Sequence, residues 1–426
     1  MSDPAIHADS VPVEPHSIGV IVRRITALTL LLITACDPDS PDGKQSDGSG
    51  DGATLDIGDT GDTGDVEPVG VSALGAGSHD LGAITVTVVA ERADGLRTPR
   101  DLAFNPDVEG ELWVVNQTND SATIFSGAGE SDQVADMRVD PYALHFMDEV
   151  SSIAMGAVTF ADSESRTFGT CHESRNTYNG GARPNDFMGP TLWSADLDIF
   201  ATSNPEAIDY LSELFGFYVD LGSHLDMLHE SPLCMGIAWE TENVYWVYDG
   251  FNATIARYDF QQDHHIGYDD HSDGIIGKVS GLTLTRLEDV PSHMEFDADS
   301  GLLYAVDTGA NRVLWLDTTT GDKGRRLAVT EPGVDHHELD NVDFGVLIDG
   351  SEVDGMSAPS GLALVDGVLL ISDYETGRLF AFDQDGAVID WVDTGRGGGI
   401  MGVEARGLDD VWFVDGTAHE LVRLQP

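Results

Sequence analysis

An all-β fold, with one short antiparallel sheet repeated six times around a ring, is predicted by three observations. From residue 80 onward the chain is a succession of short alternating runs, rich in β-branched and aromatic residues and bounded by Gly, Asp and Asn. That is the pattern of many short strands. One frame of three such runs recurs six times, and self-similarity at a fixed period marks stacked or radial repeats. The two ends of the region each hold part of a sheet: the last copy stops after three runs, and residues 84–90 alternate as a lone strand ahead of the first.

Ahead of the repeats, Arg23 and Arg24 precede an apolar-to-neutral run from Ile25 to Thr34, followed by Ala35 and Cys36. A basic flank, a short apolar stretch and a small residue are the parts of a secretory signal, and the stretch is too short to span a bilayer. Ile33, Thr34, Ala35 and Cys36 resemble a bacterial lipobox, with Ile33 where that pattern prefers Leu. The resemblance implies that Cys36 becomes the lipidated first residue of the mature chain. The arginine pair lacks the further residues of a twin-arginine signal. Residues 1–19 are acidic and contain proline, unlike the front of a signal, so translation is expected to start near Val20 or Val22. Residues 1–35 are thus a signal region. Residues 36–79, dominated at first by Asp, Gly, Ser and Thr, are expected to form a disordered acidic tether, because nothing in that run buries a core.

Residues 80–426 hold the repeats. The clearest copy runs through residues 291–296, 301–307 and 311–316 as strand, turn, strand ending in Asp307, tight turn and strand. The frame recurs from Pro99, Cys234, Pro359 and Ile400, and in degenerate form from Val150, where an insertion delays the third strand to about residue 191. These copies resemble the NHL-type repeat of six-bladed β-propellers, which implies four-stranded blades around a central channel. The last copy then lacks one strand, and an open edge is a liability. Residues 84–90 are expected to supply it and close the ring.

Acidic residues number 75 against 21 basic ones, for a formal charge of −54. Such a chain repels nucleic acid and anionic membrane faces, so membrane contact is expected through the lipid anchor alone. The acid excess fits a salty habitat, cation binding or plain solubility. With Cys36 lipidated, Cys171 and Cys234 remain, and in an oxidising compartment two cysteines are most simply one disulfide.

Two clusters carry the candidate chemistry. His172, Glu173, His224, His229 and His293 lie in segments expected at the channel mouth, with His145 approaching the same face. Converging imidazoles with a nearby carboxylate suit zinc or copper. A second cluster, Asp263, Asp269, His271 and Asp273, echoed by residues 335–338, follows a third strand and is expected on the opposite face, where an oxygen-rich turn suits calcium. In each cluster, histidines bonded to loop backbone or a solvated acidic turn are the plain alternative. There is no nucleophile elbow, phosphate loop, dinucleotide fingerprint or His-Glu-x-x-His, so no nucleotide cofactor is expected.

Two functions follow. One is a monomeric, extracytoplasmic binding module for a small ligand or an extracellular protein, in the periplasm or at the cell surface. The alternative is a lyase or hydrolase using a metal-activated water, with Glu173 or Asp307 as base. The repeats also resemble those of the peptidyl-hydroxyglycine amidating lyases, which hold zinc on channel histidines. Here His293 stands one place later in its frame, and the comparable positions elsewhere are Arg100, Ser151, Met235, Ser360 and Met401.

Overall fold

The computed structural model describes residues 70–176 and 184–426; the signal region, Cys36 and most of the tether lie outside them. The described chain is a six-bladed β-propeller. Blade 1 is Pro99–Phe104, Leu112–Asn116, Ser121–Ser126 and Val134–Val139, and blade 2 is Val150–Met155, Thr167–His172, Thr191–Ser194 and Asp226–Met227. Blade 3 is Cys234–Thr241, Val244–Asp249, Thr254–Asp259 and Ile275–Val279, and blade 4 is Met294–Asp297, Leu302–Asp307, Arg312–Asp317 and Phe344–Asp349. Blade 5 is Pro359–Val365, Val368–Asp373, Arg378–Asp383 and Val388–Asp393. Blade 6 is Ile400–Gly407, Asp410–Asp415 and Glu420–Gln425, completed by Thr85–Ala90. The closing strand runs antiparallel to the last one, Thr85 opposite Gln425 and Val88 opposite Val422, as the alternation of residues 84–90 predicted. First strands pack on one another in chain order, and that of blade 6 returns to that of blade 1.

The second strand of each blade is buried on both faces. Three residues before its end stand Trp113, Trp246, Tyr304, Leu370 and Trp412, all at most 1% exposed. Such large side chains bury much apolar area, and a buried indole N–H needs an acceptor. Glu111, Glu240 and Asp410 provide it, with Nε1 to oxygen distances of 2.8, 2.8 and 3.0 Å. Blade 2 has Gly169 at this position, because a Cβ there would lie 2.8 Å from Ile237 and 2.9 Å from Tyr245 of blade 3.

Three features depart from the repeat. The tether expected to reach residue 79 ends earlier: Val71, Ala73 and Leu74 are buried among blades 5 and 6, since this short apolar run follows the acidic one. A helix, Pro205–Phe215, lies between the third and fourth strands of blade 2, with the Asn204 side chain accepting from the Glu206 N–H and Gly216 ending it in the left-handed conformation. Finally, the hairpin Asp322–Arg326 and Asp335–Asp340, inserted in blade 4, adds to blade 3, pairing parallel with Ile275–Val279. Residues 335–338 are therefore strand and not an acidic turn. Among the described residues no helix is long and apolar enough to cross a membrane.

Candidate functional site

Four blades end their second strand with a buried Asp, at 249, 307, 373 and 415, and blade 1 has Asn116 there. These side chains organise loops. Asp373 accepts from the N–H groups of Ser357, Ala358 and Thr376, and Asp415 from those of Thr417 and Ala418. Asp307 is saturated by Tyr248, the Thr285 N–H and Arg312, which leaves it no role as a base. His172 holds the same frame position in blade 2 and does the same work. Its Nδ1 lies 2.9 Å from the Gly189 carbonyl and its Nε2 3.1 Å from Thr170 Oγ1, and burial lowers its pKa to about 3.

Glu173, the residue just after the strand, belongs to a separate ion-pair cluster. It accepts from Arg100 Nη2 at 3.2 Å and the Asp289 N–H at 2.7 Å, with Arg286 3.8 Å away. It too is committed. His293 lies in the central channel, 3.4 Å from Asp101. The five residues expected to share one mouth site are thus divided: His172, Glu173 and His293 have their own partners, while His224 and His229 belong to a different assembly. The Cys171–Cys234 disulfide does form, joining blades 2 and 3 with both residues fully buried.

His224 and His229 flank Asp226–Met227, the outermost strand of blade 2. His224 stacks on Phe146 at 3.6 Å and His229 on Phe187 at 3.5 Å between ring centroids. The loop joining the third and fourth strands of blade 3 folds back over this strand. The His264 N–H donates to the Leu225 carbonyl and the Gly267 N–H to that of His224. That docking brings His224 and His229, from the first expected cluster, together with His271 of the second, expected on the opposite face. The ring of His271 comes within 5.8 Å of His224 and 6.0 Å of His229, centroid to centroid.

The centre of the assembly is Asp226, fully buried. His271 Nδ1 lies 2.7 Å from its Oδ1, and His264 Nδ1 lies 4.0 Å from its Oδ2. Behind each imidazole stands another carboxylate: Asp273 is 3.2 Å from His264 Nε2, and Asp269 is 3.7 Å from His271 Nε2. His264 Nδ1 also bonds the Asp270 carbonyl, and among the described residues Asp226 Oδ2 has no hydrogen-bond partner. Asp226, His264 and His271 offer ligand atoms all within 4.8 Å of one another. Although burial lowers the pKa of His271, hydrogen bonds to Asp226 and Asp269 raise it to about 10, and burial raises that of Asp226. Burial holds His224 near 3 and His229 well below the ordinary range.

Of the second predicted set, His271 is therefore central, Asp269 and Asp273 back the imidazoles, and Asp263 lines an adjoining groove. This groove, about 460 Å³, is also bounded by His264, Asp269, Asp270, Tyr268 and the helix residues Tyr210 and Leu214. Asp226 and His264 were missing from the sequence candidates. The signal for Asp226 was its place between His224 and His229; His264 adjoins Asp263. Two imidazoles and a buried carboxylate form a donor set for a borderline divalent ion, whereas calcium takes oxygen ligands throughout.

No family model matches the chain, and no curated protein matches it. Solved structures similar to it include an auxiliary nutrient binding protein from Bacteroides thetaiotaomicron, 11% identical, with 80% of this chain and 75% of that one covered and a TM-score of 0.47. A luciferin-regenerating enzyme is 13% identical over 80% of this chain and 95% of that one, with a TM-score of 0.47. Virginiamycin B lyase from Staphylococcus aureus is 10% identical over 80% and 99%, with a TM-score of 0.44. At these identities the likeness concerns the fold alone.

Proposed function

We propose that this protein is an extracytoplasmic, lipid-anchored binding module whose ligand docks beside a divalent metal at the boundary of blades 2 and 3. The observation that carries this reading is the convergence of two imidazoles on buried Asp226, each backed by a further carboxylate. Carboxylates behind ligating histidines orient the rings and raise their basicity. Zinc or copper suits the donors. The groove between the helix and the loop supplies aromatic faces and carboxylates, which suits a small polar ligand or a protein side chain more than an apolar one. Cys36 and the preceding residues support the anchor, and the buried disulfide is at home in an oxidising compartment.

Metal analysis of protein purified without chelators tests the site. The native chain is expected to hold one equivalent of zinc or copper more than a H264A/H271A variant, whereas H293A, in the central channel, keeps that equivalent. A native chain that takes up no zinc or copper on dialysis would remove the metal-dependent reading.

A further inference from the structure

The central channel contains a second set of titratable groups. In the six first strands, the fifth frame position reads Ala103, Ala154, Ala238, Glu295, Ala363 and Glu404. The third reads Asp101, Ser152, Gly236, His293, Gly361 and Gly402. Small residues are the rule here because neighbouring first strands approach closely: a Cβ on Gly236 would lie 2.0 Å from the Ser292 carbonyl, and one on Gly361 2.4 Å from that of Met401. Against that rule, four positions carry Asp101, His293, Glu295 and Glu404, and all four line one cavity of about 190 Å³.

His293, 3% exposed, reaches from blade 4 to blades 1 and 2. Its Nε2–H donates to the Ser151 carbonyl at 3.3 Å, so in the neutral ring Nδ1 carries a lone pair. Among the described residues that Nδ1 has no hydrogen-bond partner, and it faces Asp101 Oδ1 at 3.4 Å. The Asp101 oxygens already accept from the N–H groups of Leu102 and Ile153, at 2.8 and 3.0 Å. Two acceptors this close need a proton or a cation between them. Burial pushes Asp101 up to about 8 and Glu404 up to about 7, and raises Glu295, with the carboxyls opposing one another's charge. A positive ion in the cavity relieves all three, and the net charge of −54 draws cations to the molecule.

We propose that this cavity is a divalent-cation site separate from the blade 2–blade 3 boundary, with the ion seated between Asp101 Oδ1 and His293 Nδ1 and reached by Glu295 and Glu404 directly or through water. Three carboxylates and one imidazole suit a harder ion than the outer site does, with manganese as the fitting probe.

The test uses the H264A/H271A chain, in which the outer site is destroyed, titrated with Mn²⁺ while free Mn²⁺ is followed by electron paramagnetic resonance. One saturable equivalent is expected. H293A and E404Q, made in the same background, should each weaken it at least about tenfold, and E404Q should keep or raise the metal-free melting temperature. If H293A fails to fold, E404Q and E295Q carry the test. No saturable equivalent in the H264A/H271A chain, or one that E295Q and E404Q leave unchanged, would overturn the proposal.

Discussion

His271 of blade 3 and Asp226 of blade 2 meet at 2.7 Å across a blade boundary, inside a region that also holds His224, His229 and His264. The contact joins the long loop of one blade to the last strand of its neighbour, so what binds there also fastens the two blades together. Zinc added at about a hundred times its dissociation constant should stabilise the native chain by about 2.7 kcal/mol. Scanning calorimetry should show a melting rise of several degrees that chelation reverses. D226A should lose most of the rise.

The disulfide gives a second prediction. Cys171 and Cys234 are separated by 63 residues, and closing a loop of that length restricts the unfolded chain. A C171A/C234A variant should lose roughly 2–4 kcal/mol, measured by urea unfolding. Blades 2 and 3 should show the largest rise in amide exchange, because their packing is what the bridge secures.

Ring closure gives a third. A chain starting at Glu91 lacks Thr85–Ala90 and exposes the edge of Glu420–Gln425. It should melt lower and form oligomers in sedimentation experiments, since an unpaired edge recruits other strands. A truncation that keeps residues 70–90 should remain monomeric.

Glu149 provides the pH dependence. Burial raises its pKa from 4.5 to about 7, with Asp148, Glu173, Asp120 and Asp289 adding to the shift. The folded protein therefore keeps a proton that the unfolded chain releases between these values, so stability falls as pH rises from 4.5 to about 7 and then levels off. E149Q should gain at most on the order of 1 kcal/mol over the native chain at about pH 8, solvent at this exposed position screening the rest, and nothing at about pH 4. Melting curves at the two pH values check this.

The strand frame, the closing strand and the cysteine pair were all legible because each is local or follows by elimination. Alternation along residues 84–90 shows in the sequence whichever strand they join. The helix Pro205–Phe215 was overlooked although Asn204, Pro205 and Gly216 mark its ends. The channel carboxyls were visible only as departures from alanine in an aligned frame.

The sequence by itself determined the six-bladed ring, the paired cysteines and the positions where the repeat breaks, because strand period and frame are properties of the chain alone. Only the tertiary structure decided which broken positions act together. His172 had to be recognised as the counterpart of the loop-holding aspartates, and His264 and His271 could meet Asp226 only because their loop folds back over the next blade's edge. Distance through space sets the electrostatics of such a site, and in a radial repeat that distance bears no relation to distance along the chain.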